Sequence, residues 1–327
     1  MKALQVVKYG EINDSLAFNE ISKPTIQAND VLIEVKAAAI NPIDKSIILG
    51  YLQSLIPIPF PSTLAYDVSG IVVEKGDDVT DFQVGDLVYS RVPQEQMGTI
   101  AEYVAVTHTA VSKKPGNISF EEAASLPLAG LTAMQSLEYA GIKSNDKVLI
   151  HAGSGGVGSF AIQYAKAKGA YVYTTTSTNN VAWVKELGAD RVIDYKTEDY
   201  KAIVKDADIV FDTLGQNYTA EAFEVVKQGG KVVSVVGPLD EESAKMFGMA
   251  DYKLPEDLAT LSTAKEASYK FIFMHPNGLH LSEIKTMIED EKIKPIIDTV
   301  YPFSESIEAI THLASGRAKG KIVIKIN

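Results

Sequence analysis

A glycine-rich turn between an apolar strand and an amphipathic helix constrains this chain more than any other stretch. Residues 148–168 read VLIHAGSGGVGSFAIQYAKAK, and Gly153, Gly155 and Gly158 fit the pattern G-x-G-x-x-G. That spacing asks for a tight turn, close backbone approach to a pyrophosphate, and close packing of the helix on the strand. The unpaired N–H groups at the start of the helix favour an anion. The stretch therefore predicts a dinucleotide phosphate site.

The order of the predicted elements divides the chain into an all-β opening and an alternating middle. Residues 1 to about 118 consist of short strands separated by turns. A capping box at Ser119–Glu122 opens a helix, and strands and helices alternate from Lys147 onward, which indicates a parallel sheet covered by helices. The terminal strand Gly320–Ile324 can return to the first sheet. We therefore predict an α/β protein with a β-rich domain and a doubly wound parallel-sheet domain.

Two stretches do not fit this scheme. Ile47–Phe60 is apolar but contains Pro57 and Pro59, which exclude a continuous helix or a central strand. We interpret it as a loop that lines an apolar pocket. The alternative is a segment that only packs against the core. Asp240–Ala267 is rich in charge, and we expect it to break the alternation as a mobile excursion.

Composition excludes several function classes. The formal net charge of −11 argues against nucleic acid or an anionic membrane as a partner. The absence of cysteine excludes disulfides, thiolate metal sites and a cysteine nucleophile. The N-terminus has only a short apolar run before Lys8, and no segment approaches the ~18 apolar residues of a membrane span. We expect a cytoplasmic protein.

The histidines do not show the spacing of metal ligands, and we predict no metal. The chain contains five of them, His108, His151, His275, His280 and His312. No two of these histidines are two or four residues apart in the chain, which is a common spacing of paired metal ligands. His151 lies in a predicted core strand, where an interior histidine is expected rather than a base. The chain also lacks the G-x-S-x-G elbow of a hydrolase triad.

Several segments, in order along nearly the whole chain, are shared with a known family. They are Ala39–Asp44, Tyr66–Val72, Val84–Asp86, Leu126–Ala133, the glycine turn, Val192–Tyr195 and Gly316–Lys321. These segments resemble the medium-chain dehydrogenase/reductase superfamily, in its zinc-independent quinone oxidoreductase and enone reductase branch. The resemblance implies a GroES-like catalytic domain over 1–122 and 273–327, with a Rossmann NADP-binding domain over 123–272.

Zinc-dependent members of that superfamily carry metal ligands at two of these segments. They place a cysteine where Asn41 stands and a His-Glu pair where Tyr66 and Asp67 stand, and they carry a four-cysteine lobe for a second zinc. This chain has none of these ligands. The resemblance therefore implies chemistry without zinc.

The end of the second strand of the parallel sheet bears on which cofactor binds. An NAD site usually has an acidic residue there, whereas Thr174–Asn180 reads TTTSTNN. Hydroxyl and amide groups can donate to a 2′-phosphate, so we predict NADPH, with Ser177 as a contact and Tyr195 carried over from the family. Many relatives place a lysine near Asn180, and its absence here leaves NADH open as a weaker alternative.

The resemblance implies further cofactor contacts along the chain. Asn41, Thr132 and Phe273 are expected near the nicotinamide, and Gly155, Gly156 and Val157 at the pyrophosphate. Leu214, Gly215 and Gly237 are expected along the carboxyl edge of the sheet, where ligands bind in parallel sheets. Lys321 is expected near the phosphates, with a solvated lysine as the alternative.

These observations predict an enzyme that transfers a hydride from NADPH to a quinone or an α,β-unsaturated carbonyl. Without zinc, the charge that develops on the carbonyl oxygen needs another hydrogen-bond donor. Tyr51, on the proline-interrupted loop, and Tyr66 are the candidates, together with Asn41. The alternative is that both tyrosines only shape the pocket.

Three other functions are alternatives to this prediction. They are a non-catalytic NADPH-binding protein of the same fold, a zinc-free alcohol or aldehyde reductase, and a methyltransferase, which also uses a glycine turn. The last usually needs an acid at the end of the second strand, which this chain lacks. We expect a small-molecule quinone or enone as the substrate, and neither nucleic acid nor a membrane as a partner. We also expect the chain to form a homodimer.

Overall fold

The computed structural model describes residues 1–326, and the chain divides into two compact units. Unit 1 comprises Met1–Leu131, His275–Glu291 and the residues from Pro295 onward, and unit 2 comprises Thr132–Met274 and Lys292–Lys294. The first boundary falls at 131, whereas the sequence places it at 122. The residues between belong with unit 1 because the backbone N–H of Leu128 donates to the carboxylate of Asp67, at 2.8 Å.

The N-terminal segment is built from strands joined by short helices. Its strands are β1 (Lys2–Val6), β2 (Leu16–Glu20), β3 (Asp30–Ile40), β4 (Ser62–Thr63), β5 (Asp67–Lys75), β6 (Leu87–Arg91), β7 (Tyr103–Thr107) and β8 (Val111–Lys113), and its helices are α1 (Ile12–Ser15), α2 (Pro42–Ile48) and α3 (Phe120–Ala124). The predicted capping box opens α3, because the Ser119 Oγ accepts from the Glu122 N–H and the Glu122 carboxylate accepts from the Ser119 N–H. That prediction is confirmed.

The middle segment alternates strands and helices as the sequence predicts. Its elements are α4 (Pro127–Tyr139), β9 (Lys147–Ile150), α5 (Gly156–Ala167), β10 (Tyr171–Thr176), α6 (Val181–Glu186), β11 (Arg191–Asp194), α7 (Tyr200–Ile203), β12 (Ala207–Asp212), α8 (Asn217–Val225), β13 (Val226–Ser234), α9 (Glu241–Met246), α10 (Glu256–Lys265) and β14 (Ser268–Phe271). The strands form one parallel sheet in the order β11-β10-β9-β12-β13-β14. This is the doubly wound order 3-2-1-4-5-6, which confirms the predicted fold class.

The expectation that residues 240–267 break this alternation is wrong. Helix α10 lies between β13 and β14 in the chain and places Leu258 in the core of unit 2, beside Phe223 and Val232. Leu258 is the only residue of α10 that is buried. Because the helix has so narrow an apolar face, its sequence resembles a solvated segment more than a covering helix.

The remaining segment returns to the sheet of unit 1. Its elements are α11 (Gly278–Glu289), β15 (Ile297–Pro302), α12 (Ser306–Ala314) and β16 (Lys321–Lys325). Strand β16 pairs antiparallel with β3, with Ile322 opposite Ile40, in a seven-stranded sheet. The prediction that the terminal strand returns to the first sheet is therefore confirmed. A smaller sheet, β2-β1-β4, completes unit 1.

The proline-interrupted stretch forms a loop, as predicted. Helix α2 ends at Ile48, and the next strand begins only at Ser62. Ile58 and Leu52 pack against the core of unit 1, whereas Tyr51 is 75% exposed. Among residues 1–326, no helix combines the length and the apolar character that a membrane crossing requires.

Candidate functional site

The glycine turn places the uncapped start of a long helix at the carboxyl edge of the parallel sheet. Strand β9 ends at Ile150, and α5 begins at Gly156 after Gly155, which offers no side chain to cap it. The first N–H groups of a helix lack partners within the helix, so those of Gly156, Val157 and Gly158 are the donors for an anion. The geometry fits the pyrophosphate of a dinucleotide.

The three positions of the turn favour glycine for different physical reasons. A Cβ at Gly153 would lie 2.2 Å from the Thr174 hydroxyl, and one at Gly158 would lie 2.3 Å from the Ala152 carbonyl oxygen. Both positions are therefore fixed by close packing inside unit 2. At Gly155 the nearest atom would be the Ala152 oxygen at 3.4 Å, and its φ of −84° suits any residue. Packing alone does not require this glycine, whereas the approach of a pyrophosphate does.

The next two strands place the predicted 2′-phosphate contacts side by side. Thr176 lies opposite Asp194 in the pairing of β10 with β11, and the Tyr195 N–H donates to the Thr176 carbonyl at 3.1 Å. Ser177 follows directly, and its hydroxyl accepts from the Asn180 amide at 3.2 Å. Tyr195 is 55% exposed.

The sequence reasoning missed a lysine at this edge. Lys196 follows Tyr195 and is exposed, and its backbone N–H donates to the Asp194 carboxylate at 3.1 Å. The neighbouring strand end therefore carries an exposed lysine directly after Tyr195. The pairing of Thr176 with Asp194, read from strand order, is the signal that would have found it.

The carboxylate nearest to this edge is held within its own turn. Asp194 is 8% exposed, and a hydrogen bond from the Thr178 hydroxyl, more than any other contact, lowers its pKa. It also accepts from the backbone N–H of Lys196. Asp194 therefore accepts hydrogen bonds within its own turn.

The other predicted contacts on the sheet edge surround Asp212. Its Oδ1 accepts from the N–H groups of Leu214 and Gly215, both at 2.9 Å, and its Oδ2 from the hydroxyls of Thr219 and Ser234. Gly215 has a φ of +68°, which favours glycine. The Asp212 carboxylate thereby fixes the turn that carries Leu214.

The predicted positions on unit 2 differ in exposure and in packing. Leu214 and Phe273 are about two-fifths exposed, at 38% and 37%, and Thr132 in α4 is 7% exposed. A Cβ at Gly237 would lie 2.7 Å from the Tyr269 hydroxyl, so packing against this ring already requires the glycine. Leu214 and Phe273 are thus apolar surface that unit 2 leaves accessible.

His151, at the start of the glycine turn, is an interior histidine, as the sequence predicts. It is fully buried, with Nδ1 3.2 Å from the Thr175 hydroxyl and the ring edge-on to Tyr200 and Tyr218. Burial lowers its pKa to about 4. The imidazole is therefore neutral at pH 7.

A second cluster lies entirely within unit 1, where three strands and α2 converge. Asn41 follows β3, Asp67 begins β5, and Lys321 begins β16. Ala39 pairs with Asp67, and Ile40 pairs with Ile322, so the register brings the three side chains together. The Asn41 Nδ2 donates to the Asp67 Oδ2 at 2.9 Å, and the Lys321 Nζ donates to that oxygen at 3.1 Å and to the Asn41 Oδ1.

The structure overturns the alternative that Lys321 is a solvated lysine. Its side chain is 8% exposed, and Asp67 is fully buried. The remaining Asp67 oxygen accepts from the Leu128 N–H. A buried ion pair is favourable only when further hydrogen bonds satisfy both charges, and Asn41 and the start of α4 supply them.

Asp44, which the sequence reasoning did not single out, is a buried acid in the same cluster. Its Oδ2 accepts from the Asn41 N–H at 2.7 Å and starts α2, while its Oδ1 has no partner within residues 1–326. Burial, more than any other cause, raises its pKa to about 7. The negative charge of Asp67 also acts to raise this pKa, whereas the positive charges of Lys321 and Arg91 act to lower it. Asp44 can therefore hold a proton near neutral pH.

The two candidate tyrosines have different environments. The Tyr66 hydroxyl donates to the Gln94 Oε1 at 2.6 Å, and the Arg91 guanidinium lies 4.6 Å from the centre of its ring. Burial raises the pKa of Tyr66, so its phenol stays protonated. Tyr51 is mostly exposed, and no bond joins it to Tyr66 or Asn41. Within residues 1–326, no group of three or more His, Asp or Glu side chains is arranged to hold a metal ion.

Comparison with known proteins places the chain in a family. Residues 27–116 match the family described as "Alcohol dehydrogenase GroES-like domain", and residues 187–324 match "Zinc-binding dehydrogenase". A 2-methylene-furan-3-one reductase of Solanum lycopersicum is 36% identical over 334 residues, which cover 99% of this chain and 79% of that protein. An NADPH-dependent alkenal/one oxidoreductase, chloroplastic, of Arabidopsis thaliana is 34% identical, with the same coverage.

A solved structure extends the likeness to three dimensions. The quinone oxidoreductase from Coxiella burnetii superposes with a TM-score of 0.88 at 33% identity, over 100% of this chain and 99% of that one. The shared sequence, the strand order of the parallel sheet and the glycine turn agree with one another. The chain belongs to the medium-chain dehydrogenase/reductase superfamily, among its quinone and alkenal/one oxidoreductases.

Proposed function

We propose that this protein is a zinc-independent, NADPH-dependent oxidoreductase that reduces quinones or α,β-unsaturated carbonyls. Its relatives are named for these activities, and they match nearly the whole chain. The observation that carries the proposal is Gly155, a glycine that packing does not require, at the uncapped start of α5. A pyrophosphate explains the missing side chain.

The cofactor supplies the hydride, and the chain supplies binding and hydrogen bonds. The N–H groups of Gly156, Val157 and Gly158 hold the pyrophosphate, and Leu214 and Phe273 offer apolar surface to the rest of the cofactor. Asn41, whose carboxamide keeps a second N–H, is the donor for the charge that develops on the carbonyl oxygen, whereas the buried Tyr66 already donates its O–H to Gln94. Tyr51 contributes through its position on the loop that follows α2.

Zinc independence is supported by the chemistry of the second cluster. The Asn41 oxygen accepts from an ammonium, and the Asp67 carboxylate accepts from the same ammonium, an amide and a backbone N–H. These oxygens are already occupied by donors, and an amide oxygen and a phenol are poor ligands for zinc. The cluster therefore does not fit a zinc ion.

A preference for NADPH over NADH is supported by the neighbouring ends of β10 and β11. Ser177 offers a hydroxyl, and the exposed Tyr195 and Lys196 lie on the adjoining strand end. A lysine is a point charge that binds a phosphate. The second strand, β10, ends at Thr176 without the acidic residue that is usual in an NAD site.

The function is tested by NADPH oxidation against a panel of quinones, short enones, saturated ketones and aldehydes, with and without a chelator. We expect turnover of quinones or enones that the chelator does not change. NADPH binding without oxidation of any compound would indicate a binding protein, and turnover of saturated aldehydes alone would indicate an alcohol or aldehyde reductase.

Cofactor preference is tested by two substitutions with opposite chemistry. Ser177→Asp places a carboxylate where the 2′-phosphate is proposed to lie, so we expect selectivity to shift toward NADH. Lys196→Ala removes the proposed cation, so we expect weaker NADPH binding, by about tenfold, with NADH binding unchanged. Fluorescence titration of both cofactors measures this, with Lys201→Ala, a lysine on α7, as the matched control. An equal loss of affinity for NADPH and NADH in either variant would mean that the substituted residue does not contact the 2′-phosphate.

We also propose a cytoplasmic homodimer, in which unit 1, predicted from the sequence as residues 1–122 and 273–327, is the catalytic domain and unit 2, predicted as residues 123–272, is the cofactor domain. The acidic charge of −11 supports a small-molecule partner rather than nucleic acid. Light scattering of the purified full-length chain measures the oligomeric state.

A further inference from the structure

The cluster of Lys321, Asn41 and Asp67 is a closed triangle of charged and polar groups in unit 1. The ammonium donates to one oxygen of Asp67 and to the carboxamide oxygen of Asn41, and the carboxamide nitrogen donates to the same carboxylate oxygen. All three residues are buried, with exposures of 7%, 2% and 0%. Such contacts are strong because no water competes with them.

The triangle determines the orientation of the Asn41 carboxamide. Rotating the amide by 180° would turn its oxygen toward the Asp67 carboxylate and its NH₂ group toward the Lys321 ammonium. Both new contacts would be repulsive, so only one orientation is compatible with the two charges. The side chain of Asn41 is thus fixed by a residue from the far end of the chain.

Fixing the amide leaves defined donors for other molecules. One carboxamide N–H of Asn41 is directed to Asp67, and the ammonium uses two of its three N–H bonds on Asn41 and Asp67. Asp67 accepts from Leu128, Asn41 and Lys321. Donors that are held in place before the reaction stabilise developing negative charge without a cost of reorganisation.

We propose that Lys321 is a positioning residue of this reductase, which orients the Asn41 carboxamide so that Asn41 is preset to donate to the substrate carbonyl oxygen. This inference rests on the proposed function. It replaces the phosphate contact that the sequence predicts for Lys321, and the two roles have different kinetic consequences.

The pH dependence of stability tests the role of Lys321 without a measurement of turnover. The titratable and charged groups that act on this site are Asp67 on β5, Asp44 on α2, Arg91 on β6, and the adjoining Tyr66. Replacing Lys321 by a neutral residue removes a cation that lowers the pKa of the buried Asp44. That pKa then rises further, and a raised pKa in the folded state means that stability is lost as the pH rises.

The experiment compares Lys321→Met and Lys321→Arg with Lys319→Met, an exposed lysine two residues earlier, in the full-length enzyme. For K321M we expect kcat to fall by about 10- to 100-fold, the loss that a misplaced group causes, with the Kd for NADPH within about twofold of wild type. K321R retains the charge and restores part of kcat, and K319M behaves as wild type. K321M also loses more stability between pH 5 and pH 8 than wild type does.

Each outcome decides a separate point. An increased Kd for NADPH with unchanged kcat in K321M would make Lys321 a phosphate contact and overturn the inference. If the wild type reduces no quinone or enone, the proposed function fails, and crystal structures of wild type and K321M at about 1.2 Å resolution or better then decide whether the Asn41 amide loses its orientation. An unchanged amide and an unchanged pH dependence of unfolding would sink the positioning role. Should K321M not fold, Lys321→Gln takes its place.

Discussion

At the scale of single residues, the second cluster shows what a sequence can and cannot indicate. Asn41 and Asp67 are conspicuous because they stand where the related zinc enzymes have ligands, and the sequence analysis singled out Asn41 on that ground. The resemblance implies a place near phosphates for Lys321, and its actual partners cannot be read from the sequence because they are 280 and 254 positions away in the chain. Asp44 drew no attention because a carboxylate at the start of a helix is ordinary.

The first prediction concerns the proton on Asp44. Burial raises its pKa from 3.8 to about 7. A carboxyl group with a raised pKa in the folded state contributes stability that is complete below about pH 4 and is lost as the pH rises through 7. Asp44→Asn removes this dependence and keeps an oxygen to accept from the Asn41 N–H. We expect the free energy of unfolding of D44N, relative to wild type, to rise by about 2 kcal/mol from pH 5 to pH 8.

Urea unfolding of both proteins at the two pH values measures this difference. Asp78→Asn, in an exposed turn, is the matched control and should leave the pH dependence of wild type unchanged. Parallel stability profiles of D44N and wild type would show that Asp44 is ionised throughout this pH range in the folded protein.

At the scale of elements, the sequence predicts what a local pattern determines. The glycine turn, the capping box at Ser119 and the run of parallel strands each depend on residues close together in the chain, and the structure contains all of them. Helix α10 was missed because a single buried leucine gives no helical period. The role proposed for Lys196 depends on which strand ends are neighbours, which the sheet order determines.

The glycine turn supports a prediction that separates folding from binding. In Gly158→Ala the new Cβ would lie 2.3 Å from a backbone oxygen, so the backbone must shift, and we expect a loss of about 1–3 kcal/mol in stability. In Gly155→Ala the nearest atom lies at 3.4 Å, so we expect stability within about 1 kcal/mol of wild type. The methyl group would instead displace the pyrophosphate, and the Kd for NADPH should rise at least about tenfold.

Thermal unfolding and fluorescence titration with NADPH measure the two effects on the same samples. The contrast between the variants is the test, because each serves as the control of the other. If G155A bound NADPH as tightly as wild type, the glycine turn would not hold the pyrophosphate and the proposed function would lose its main support.

At the scale of the whole molecule, one compact unit is built from both ends of the chain. The fold class could be predicted because strand–helix alternation and the resemblance agree, and because the stretch 320–324 has the pattern of a strand that can return to the first sheet. Which strand it joins follows from the packing of unit 1: β16 lies between β15 and β3 and contributes Ile322 and Ile324 to a core shared with Leu4 and Ile40. Pairing over such a sequence separation is slow to form and hard to predict.

The last prediction concerns this closing strand. Ile324 is fully buried among residues of β1, β3 and α12, so Ile324→Ala removes apolar contacts and leaves a cavity in unit 1. We expect a loss of about 2–4 kcal/mol in the free energy of unfolding. Lys325→Ala, the matched control on the same strand, changes an exposed side chain paired with Glu121 at 3.4 Å and should cost at most about 0.5 kcal/mol.

Limited proteolysis of both variants locates the effect. Because β16 completes the sheet of unit 1, early cuts in I324A should fall within residues 1–131 or after 295, while 132–274, with its own parallel sheet and core, stays resistant. Cleavage that begins within 132–274 would mean that the two units do not unfold independently, and the loss measured for I324A would then belong to the whole chain rather than to the sheet that β16 completes.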